Sequence, residues 1–166
     1  AGGTREALDP VRHLTNASSG RMGLAIARAA ALRGADVTVV AAAISAEIPG
    51  CAEVVRVDST ADLAQAMTGL APTSDVLVMA AAPADFTPAH PSELKLKKSG
   101  AEGLTVEFTQ TVDVLATLVR TRRGGQTIVG FAAETAGSES ELLRLGRAKL
   151  ARKGCDAIIA NDVSRA

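Results

Sequence analysis

Apolar, β-branched runs alternate along the chain with capped helical segments, and this alternation constrains the fold more than any other feature. The spacings are typical of βαβ units. Because 47% of the 166 residues are hydrophobic but only 2% are aromatic, the core is built from small aliphatic side chains, which favours a parallel sheet. We expect a doubly wound, mainly parallel, Rossmann-like α/β sheet with helices on both faces, in a single domain over 1–166. The predicted strands are 35–41, 53–57, 75–80, 104–108, 126–131 and 156–164.

The loop Asn16-Ala17-Ser18-Ser19-Gly20-Arg21-Met22-Gly23 precedes a small-residue helix that we expect to stop at Gly34. Serines are natural caps for the N–H groups at a helix start, and such a start favours anions. The loop is therefore a candidate phosphate site. Tight helix–sheet packing is the alternative, although it explains the glycines and not the Asn-x-Ser-Ser cluster.

Three further helix starts carry capping signals. Ser59 with Asp62 and Ser138 with Glu141 match capping boxes. Thr111 is the expected cap of a helix over 112–119 that has Asp113 in its first turn.

The strand 75–80 runs into the small residues 80–84 and then Asp85. Ligands in open α/β sheets bind beyond the carboxyl ends of strands. Here the alanines would let a flat ring approach the backbone, and Asp85 could accept a hydrogen bond from an amine or a hydroxyl. An ordinary loop carboxylate is the competing interpretation.

Residues 87–103 are polar and bounded by Pro and Gly, and they carry Lys95, Lys97 and Lys98. We interpret this segment as a basic flap that could close on a phosphate-bearing substrate. A solvated loop is the alternative.

Composition excludes several classes of protein. Eighteen basic and eighteen acidic residues give a formal net charge of zero, so no overall field favours nucleic acid or membrane. Cys51 and Cys155 lie far apart and outside any motif, which fits free thiols in a reducing compartment. With neither a signal-peptide pattern nor a spanning apolar stretch, we expect a soluble, cytoplasmic protein.

The glycine loop and the strand 35–41 together resemble a nicotinamide site, but other features oppose an NAD(P)-dependent oxidoreductase. The sequence has no G-x-G-x-x-G, no acidic residue ending that strand, and no tyrosine. A P-loop motif is also absent. Positive groups at several strand ends and helix ends instead suit phosphoryl or nucleotidyl transfer.

A series of motifs in order resembles the phosphopantothenoylcysteine synthetase family over nearly the whole chain. In bacteria the family is usually fused behind a flavin-dependent decarboxylase, and it has a closing segment beyond Ser164 that this sequence lacks, so we expect the chain to be truncated at both ends. The motifs are Gly2-Gly3-Thr4-Arg5-Glu6 with Asp9-Pro10-Val11-Arg12, Asn16-x-Ser18-Ser19-Gly20-x-Met22-Gly23, Ala80-Ala81-Ala82-x-Ala84-Asp85, Lys95-x-Lys97-Lys98, Gly130-Phe131-Ala132-Ala133-Glu134-Thr135 and Asn161-Asp162-Val163-Ser164.

The resemblance implies a ligase of coenzyme A biosynthesis with two half-reactions. The carboxylate of 4′-phosphopantothenate attacks the α-phosphate of CTP, releasing pyrophosphate and forming an acyl-cytidylate. The amine of L-cysteine then displaces CMP. Mg²⁺ would bridge the phosphates, with metal ligands unknown, and a homodimer is implied. A catalytically idle nucleotide-binding domain is the alternative.

By the same resemblance, particular residues take particular roles. Lys95 would neutralise charge in the first half-reaction and also contact CTP, and Asn16 would hold the acyl-cytidylate for the second. Relative to the family, Pro83 replaces a common Val, and Thr111-Val112-Asp113 replaces Asn-Pro-Asp. The remaining residues implied in nucleotide binding are Met79, Ala80, Ala81, Asp85, Val112, Asp113, Val114, Leu115, Phe131, Lys149 and Lys153.

Overall fold

The computed structural model describes residues 1–98 and 103–164. It is an α/β protein with mainly parallel strand pairs, as predicted. In chain order the elements are β1 (Gly2–Gly3), β2 (Arg5–Asp9), β3 (Arg12–Thr15), α1 (Arg21–Ala31), β4 (Thr38–Ala41), β5 (Glu53–Arg56), α2 (Thr60–Leu70), a short 3₁₀ turn (Ala71–Thr73), β6 (Val76–Met79), β7 (Ala81–Ala82), β8 (Phe86–Pro88), β9 (Phe108–Gln110), α3 (Val114–Arg120), β10 (Thr127–Glu134), α4 (Glu139–Lys153) and β11 (Ala157–Asp162).

The chain groups into two compact units, and the first comprises Ala1–Ala66 and Ala81–Val112. In this unit β1 pairs with β7 and β4 with β5, both in parallel. The pairs β2–β3 and β8–β9 are antiparallel. Its apolar core joins α1 to β4 through Leu24, Ala27, Val39 and Ala41.

The start of α1 differs from the predicted serine cap. The N-cap residue is Gly20, whose φ of 77° is a left-handed conformation that favours glycine. The Ser19 hydroxyl accepts a hydrogen bond from the Arg21 N–H at 3.4 Å, so it contributes from one position before the cap. Gly34 follows the end of the helix with a φ of 85°, as expected of a C-terminal glycine.

An antiparallel hairpin, β2–β3, precedes the Asn16 loop, in a part of the chain where no strand was predicted. Its turn is stabilised by Asp9, whose Oδ1 accepts hydrogen bonds from the N–H groups of Val11 at 2.9 Å and Arg12 at 2.8 Å. Such an Asx turn reverses the chain locally. The strand predicted at 104–108 is also shifted, because β9 covers Phe108–Gln110 and pairs with β8.

The second unit comprises Met67–Ala80 and the described residues from Asp113 onward. Its parallel sheet has the order β11-β10-β6. Leu118 of α3 and Ile128 of β10 are both fully buried, and each such side chain stabilises the fold by roughly 1.5–3 kcal/mol. At Gly130 an added Cβ would lie 2.6 Å from Leu115 and 2.7 Å from Ile158, so a larger residue there would require the ends of both side chains to shift.

The predicted capping box at Ser59 is complete, whereas at Ser138 the serine caps α4 but the Glu141 carboxylate bonds the N–H one residue before the cap. Asp62 accepts a hydrogen bond from the Ser59 N–H at 3.0 Å, and Ser59 Oγ accepts one from the Asp62 N–H at 3.1 Å. Ser138 Oγ accepts from the Glu141 N–H at 3.2 Å, while the Glu141 carboxylate accepts from the Gly137 N–H, also at 3.2 Å.

Among the described residues, no helix is both long and apolar enough to span a membrane. The organisation of 1–166 as a single domain stays a prediction.

Candidate active site

The predicted site residues are distributed over both compact units, and each group is described within its own unit. In the first unit lie Asn16, Ala81, Asp85, Lys95 and Val112. In the second lie Met79, Ala80, Asp113, Val114, Leu115, Phe131, Lys149 and Lys153.

Asn16 follows β3 and is held against the loop after β7. Its Nδ2 donates hydrogen bonds to the carbonyl oxygens of Pro83 at 2.9 Å and Ala82 at 3.4 Å. Both contacts use the amide nitrogen, so the amide oxygen is the group left to orient a ligand. Pro83 lacks an N–H, but its carbonyl still serves as an acceptor here. No local pattern indicated this contact, which joins positions 67 residues apart.

Asp85 is exposed, but the residue before it, Ala84, is buried and anchored by hydroxyl groups. The Ala84 N–H donates to Thr4 Oγ1 at 2.8 Å, and the Ala84 carbonyl accepts from Thr60 Oγ1 at 3.3 Å and Thr111 Oγ1 at 2.6 Å. Sequence analysis named Thr111 as the cap of α3. That prediction is wrong because its hydroxyl bonds Ala84 instead.

Lys95 is exposed in the part of the predicted flap that the structure describes. Both the N–H and the carbonyl of its neighbour Leu96 are hydrogen-bonded. Asp9 Oδ2 accepts from the Leu96 N–H at 3.1 Å and from Arg12 at 3.0 Å, while Arg12 also donates to the Leu96 carbonyl at 3.0 Å. We call this arrangement of Asp9, Arg12 and Leu96 the Asp9 clamp.

The Asp9 clamp is charged and partly buried. The Asp9 side chain is fully buried, whereas 42% of the Arg12 side chain is exposed. Burial alone would raise the pKa of Asp9, but the N–H groups of Val11, Leu96 and Arg12 and the Arg12 charge hold that pKa below its usual value. Asp9 is therefore the ionised acceptor on which the clamp depends.

The structure describes only part of the predicted flap over 87–103. Phe86–Pro88 form β8, and the Ser92 N–H donates to the Leu8 carbonyl at 3.0 Å. Residues 99–102 lie outside the described part of the chain.

In the second unit, Asp113 has two partners. Its Oδ1 accepts from the Ala116 N–H at 3.0 Å, which makes Asp113 the N-cap of α3, and its Oδ2 pairs with Lys153 at the end of α4. Burial works to raise the pKa of Asp113, but the Lys153 and Ala116 hydrogen bonds, with the charges of Lys153 and Arg152, keep it below its ordinary value. Val112 precedes this cap and is exposed, whereas Val114 and Leu115 are buried.

Four other members of the second unit's candidate group remain, and two of them, Met79 and Phe131, lie on neighbouring strands. Met79 of β6 is buried and pairs in register with Gly130 of β10, and Phe131 follows as a half-buried residue. Because the Met79 side chain lies in the core, its predicted contact with a nucleotide would have to use the backbone. Ala80 and Lys149 are both half-buried.

No group of three or more His, Cys, Asp or Glu side chains is placed to hold a metal ion within residues 1–98 and 103–164.

Comparison with known proteins identifies the family. The family model for the DNA/pantothenate metabolism flavoprotein C-terminal domain matches residues 1–166. The "Coenzyme A biosynthesis bifunctional protein CoaBC" of Mycobacterium tuberculosis is 52% identical over 170 residues, covering 98% of this chain and 40% of that protein. The protein of the same name from Bacillus subtilis is 44% identical over 164 residues, covering 98% and 39%.

A solved structure gives the same result. The crystal structure of the C-terminal domain of Coenzyme A biosynthesis bifunctional protein CoaBC has a TM-score of 0.82 and 36% identity, covering 98% of this chain and 74% of that one. The chain thus spans about two fifths of the curated relatives that it matches. With its motifs, its fold and these similarities in agreement, the chain belongs to the DNA/pantothenate metabolism flavoprotein C-terminal domain family.

Proposed function

We propose that this chain is a phosphopantothenate–cysteine ligase of coenzyme A biosynthesis that uses CTP. Relatives that are 52% and 44% identical over almost the whole chain carry coenzyme A biosynthesis in their names, which supports this assignment. The structural observation that carries it is that candidate site residues of the first unit are held in place by hydrogen bonds. Three exposed polar residues, Asn16, Asp85 and Lys95, are each fixed through their own amide or a neighbouring peptide. Such preorganisation is what positioning chemistry needs.

The proposed chemistry proceeds in two half-reactions. A carboxylate oxygen of 4′-phosphopantothenate bonds to the α-phosphorus of CTP, and pyrophosphate leaves with the electrons of the broken P–O bond. The cysteine amine then bonds to the acyl carbon, CMP leaves, and the nitrogen releases a proton. Lys95 would offset the charge that develops in the first step. Asn16 would orient the acyl-cytidylate through its amide oxygen without titrating.

Other residues would bind the nucleotide. Asp85 would accept a hydrogen bond from the nucleoside, and Lys149 and Lys153 would bind its phosphates. When CTP carries Mg²⁺, the ion supplies charge neutralisation on the phosphates. The Asp113–Lys153 ion pair implies that phosphate binding by Lys153 competes with Asp113.

Two partnerships complete the proposal. The word bifunctional in the relatives' names supports a covalent partnership with a flavin-dependent decarboxylase. The family resemblance supports a homodimer.

The first experiment is calorimetric titration of the chain with CTP, ATP and NADPH, each with Mg²⁺. We expect CTP to bind most tightly and, with 4′-phosphopantothenate, to release pyrophosphate. CTP binding without pyrophosphate release would identify an idle nucleotide-binding domain. Binding of NADPH alone would refute the ligase and favour an oxidoreductase.

Two substitutions then separate the half-reactions. Lys95→Gln should slow acyl-cytidylate formation by roughly a hundredfold or more, because a charge that stabilises the transition state is lost. Asn16→Asp should slow transfer to cysteine much more than acyl-cytidylate formation. Arg33→Gln is the matched control, because Arg33 is exposed at the end of α1 and its side chain donates to the Ala29 carbonyl of its own helix. Equal losses in both half-reactions for Asn16→Asp would contradict the assigned roles.

A further inference from the structure

The peptide groups of Ala84 close a ring of hydrogen bonds through two threonine hydroxyls. The Ala84 N–H donates to Thr4 Oγ1 at 2.8 Å, Thr4 Oγ1 lies 2.8 Å from Thr60 Oγ1, and Thr60 Oγ1 lies 3.3 Å from the Ala84 carbonyl oxygen. We call these three residues the hydroxyl ring. It brings together residues 4, 60 and 84, all in the first compact unit.

The donor and the acceptor of each hydrogen bond in the hydroxyl ring can be assigned, because the Ala84 N–H can only donate and the Ala84 carbonyl can only accept. The Ala84 carbonyl has no proton, so the Thr60 hydroxyl must donate to it. Thr60 therefore accepts from the Thr4 hydroxyl, and Thr4 in turn accepts from the Ala84 N–H. Each hydroxyl donates once and accepts once, so the ring satisfies all of its members.

Burial makes the hydroxyl ring costly to break. Thr4 and Thr60 have no exposed surface, and Ala84 is only 2% exposed. Removing either hydroxyl would leave a buried partner unsatisfied, which is much more unfavourable than losing a bond at the surface. The ring itself is anchored, since the Thr60 N–H donates to the buried carboxylate of Glu6 at 2.8 Å.

Ala84 is followed directly by Asp85, whose carbonyl accepts from the Thr111 N–H at 2.9 Å. The backbone is thus fixed on both sides of the Asp85 Cα, while the carboxylate itself remains exposed. When the backbone that carries a side chain is already fixed, binding a ligand costs less backbone freedom, so the side chain binds more tightly. Ala84 has Pro83 on one side in the chain and Asp85 on the other, so Asp85 is the polar side chain that the hydroxyl ring holds in place.

We propose that Thr4 and Thr60 are positioning residues that orient Asp85 towards an N–H or O–H donor of the bound nucleoside, and so set the affinity and selectivity for CTP. This inference builds on the proposed function and assigns a role to residues that touch no substrate themselves. The donor is either the amino group of the base or a hydroxyl of the ribose. Both present hydrogen to a carboxylate, and the test separates them.

The test compares Thr4→Val, which removes the hydroxyl at nearly constant volume, with Thr4→Ser, which retains it. In steady-state assays we expect Thr4→Val to raise the KM for CTP about tenfold, with kcat changed less than about twofold, because uniform binding is lost. Thr4→Ser should restore the wild-type KM. Thr73→Val is the matched control, because Thr73 is exposed and its hydroxyl donates to the Leu70 carbonyl outside the ring.

Alternative nucleotides identify the donor. If Asp85 accepts from the base amine, Thr4→Val should reduce the preference for CTP over UTP. If it accepts from the ribose, the preference for CTP over 2′-deoxy-CTP or 3′-deoxy-CTP should fall. Unchanged preferences in all these comparisons would overturn the proposal.

A double substitution separates positioning from general destabilisation. In an Asp85→Ala background, Thr4→Val should change the KM for CTP by less than about twofold, because Thr4 would have nothing left to position. An undiminished tenfold effect would show that Thr4 acts by another route. Should Thr4→Val fail to fold, Thr60→Val breaks the hydroxyl ring at a different bond and takes the same readouts.

Failure of the proposed function would be recognised separately, because wild-type protein would then not consume CTP at all. In that case hydrogen exchange still decides whether the hydroxyl ring positions the loop. Thr4→Val should accelerate exchange at the Ala84 amide by at least about tenfold, in line with loss of its buried acceptor. Unchanged exchange would overturn the positioning role.

Discussion

Two anchor points in the first compact unit hold the neighbour of an exposed candidate site residue, but they do so with different chemistry. The hydroxyl ring fixes Ala84 beside Asp85 using neutral, fully buried threonines. The Asp9 clamp fixes Leu96 beside Lys95 using a buried carboxylate and a half-exposed guanidinium. In both places the backbone next to the functional side chain is held, and that side chain stays accessible.

Because of this difference in chemistry, the hydroxyl ring is independent of pH and salt, whereas the Asp9 clamp responds to both. Threonine hydroxyls do not titrate in the accessible pH range and are insensitive to salt. An ionised carboxylate loses its function when protonated, and an ion pair with an exposed partner is screened by salt. A rigid anchor suits the nucleoside contact proposed for Asp85, whereas the Asp9 clamp makes the hold on the backbone beside Lys95 dependent on pH and salt.

Among the changes that compare the two anchors, Asp9→Asn should have the largest effect. Asparagine can still accept at the turn through its Oδ1, but its Nδ2 cannot accept from Leu96 or Arg12. We expect hydrogen exchange at the Leu96 amide to accelerate on the order of tenfold to a hundredfold, because two charge-assisted contacts are lost. Exchange at Ala84 should be unchanged. Asp75→Asn is the control, since Asp75 is 90% exposed and pairs with Arg123 in the second unit. Equal acceleration at both amides would remove the distinction between the two anchors.

Acidification should separate the two anchors without any substitution. The pKa of Asp9 lies below its ordinary value of 3.8 in the folded protein. Its stabilising contribution is therefore complete above about pH 4 and is lost as the pH falls through the folded-state pKa. Exchange at Leu96, corrected for its intrinsic pH dependence, should accelerate in that range before exchange at Ala84 does. Simultaneous loss of protection at both amides, coincident with global unfolding by circular dichroism, would contradict this order.

The smallest expected effect is that of Thr111→Val. Its hydroxyl also donates to the Ala84 carbonyl, but that oxygen keeps its bond from Thr60. No buried group is left unsatisfied, so we expect a loss of no more than about 1 kcal/mol in urea unfolding. The KM for CTP should rise less than about threefold, clearly below the effect of Thr4→Val. A larger effect from Thr111 than from Thr4 would mean that the third hydroxyl, and not the closed ring, fixes the loop.

Local sequence signals predicted much of the fold. The β-branched runs located β6, β10 and β11, because strands buried in a parallel sheet have a composition that differs sharply from that of the intervening helices. The capping box Ser59–Asp62 and the N-cap Ser138 were predicted correctly because these contacts join residues three positions apart.

Contacts between distant residues were not predictable in the same way. Threonine is common both at helix caps and in buried contacts, so nothing near Thr111 indicated that its hydroxyl bonds Ala84 while Asp113 caps α3. The Asp9 clamp was missed because the Asp-Pro pair predicts only a turn, and the contact with Leu96 joins residues 87 positions apart. The motif that contains Asp9 indicated the family, but not this contact.

The hydroxyl ring also has a consequence for the order of folding. Its bonds close loops of 80, 56 and 24 residues, between Thr4 and Ala84, Thr4 and Thr60, and Thr60 and Ala84. Closure of such long loops has a large entropic cost, which is recovered only when the segments that they join are already in place. During synthesis the loop before Asp85 therefore cannot reach its final form until residue 84 has emerged and docked against both threonines. The proposed nucleoside contact would therefore be a late product of folding, available only once distant parts of the first unit have assembled.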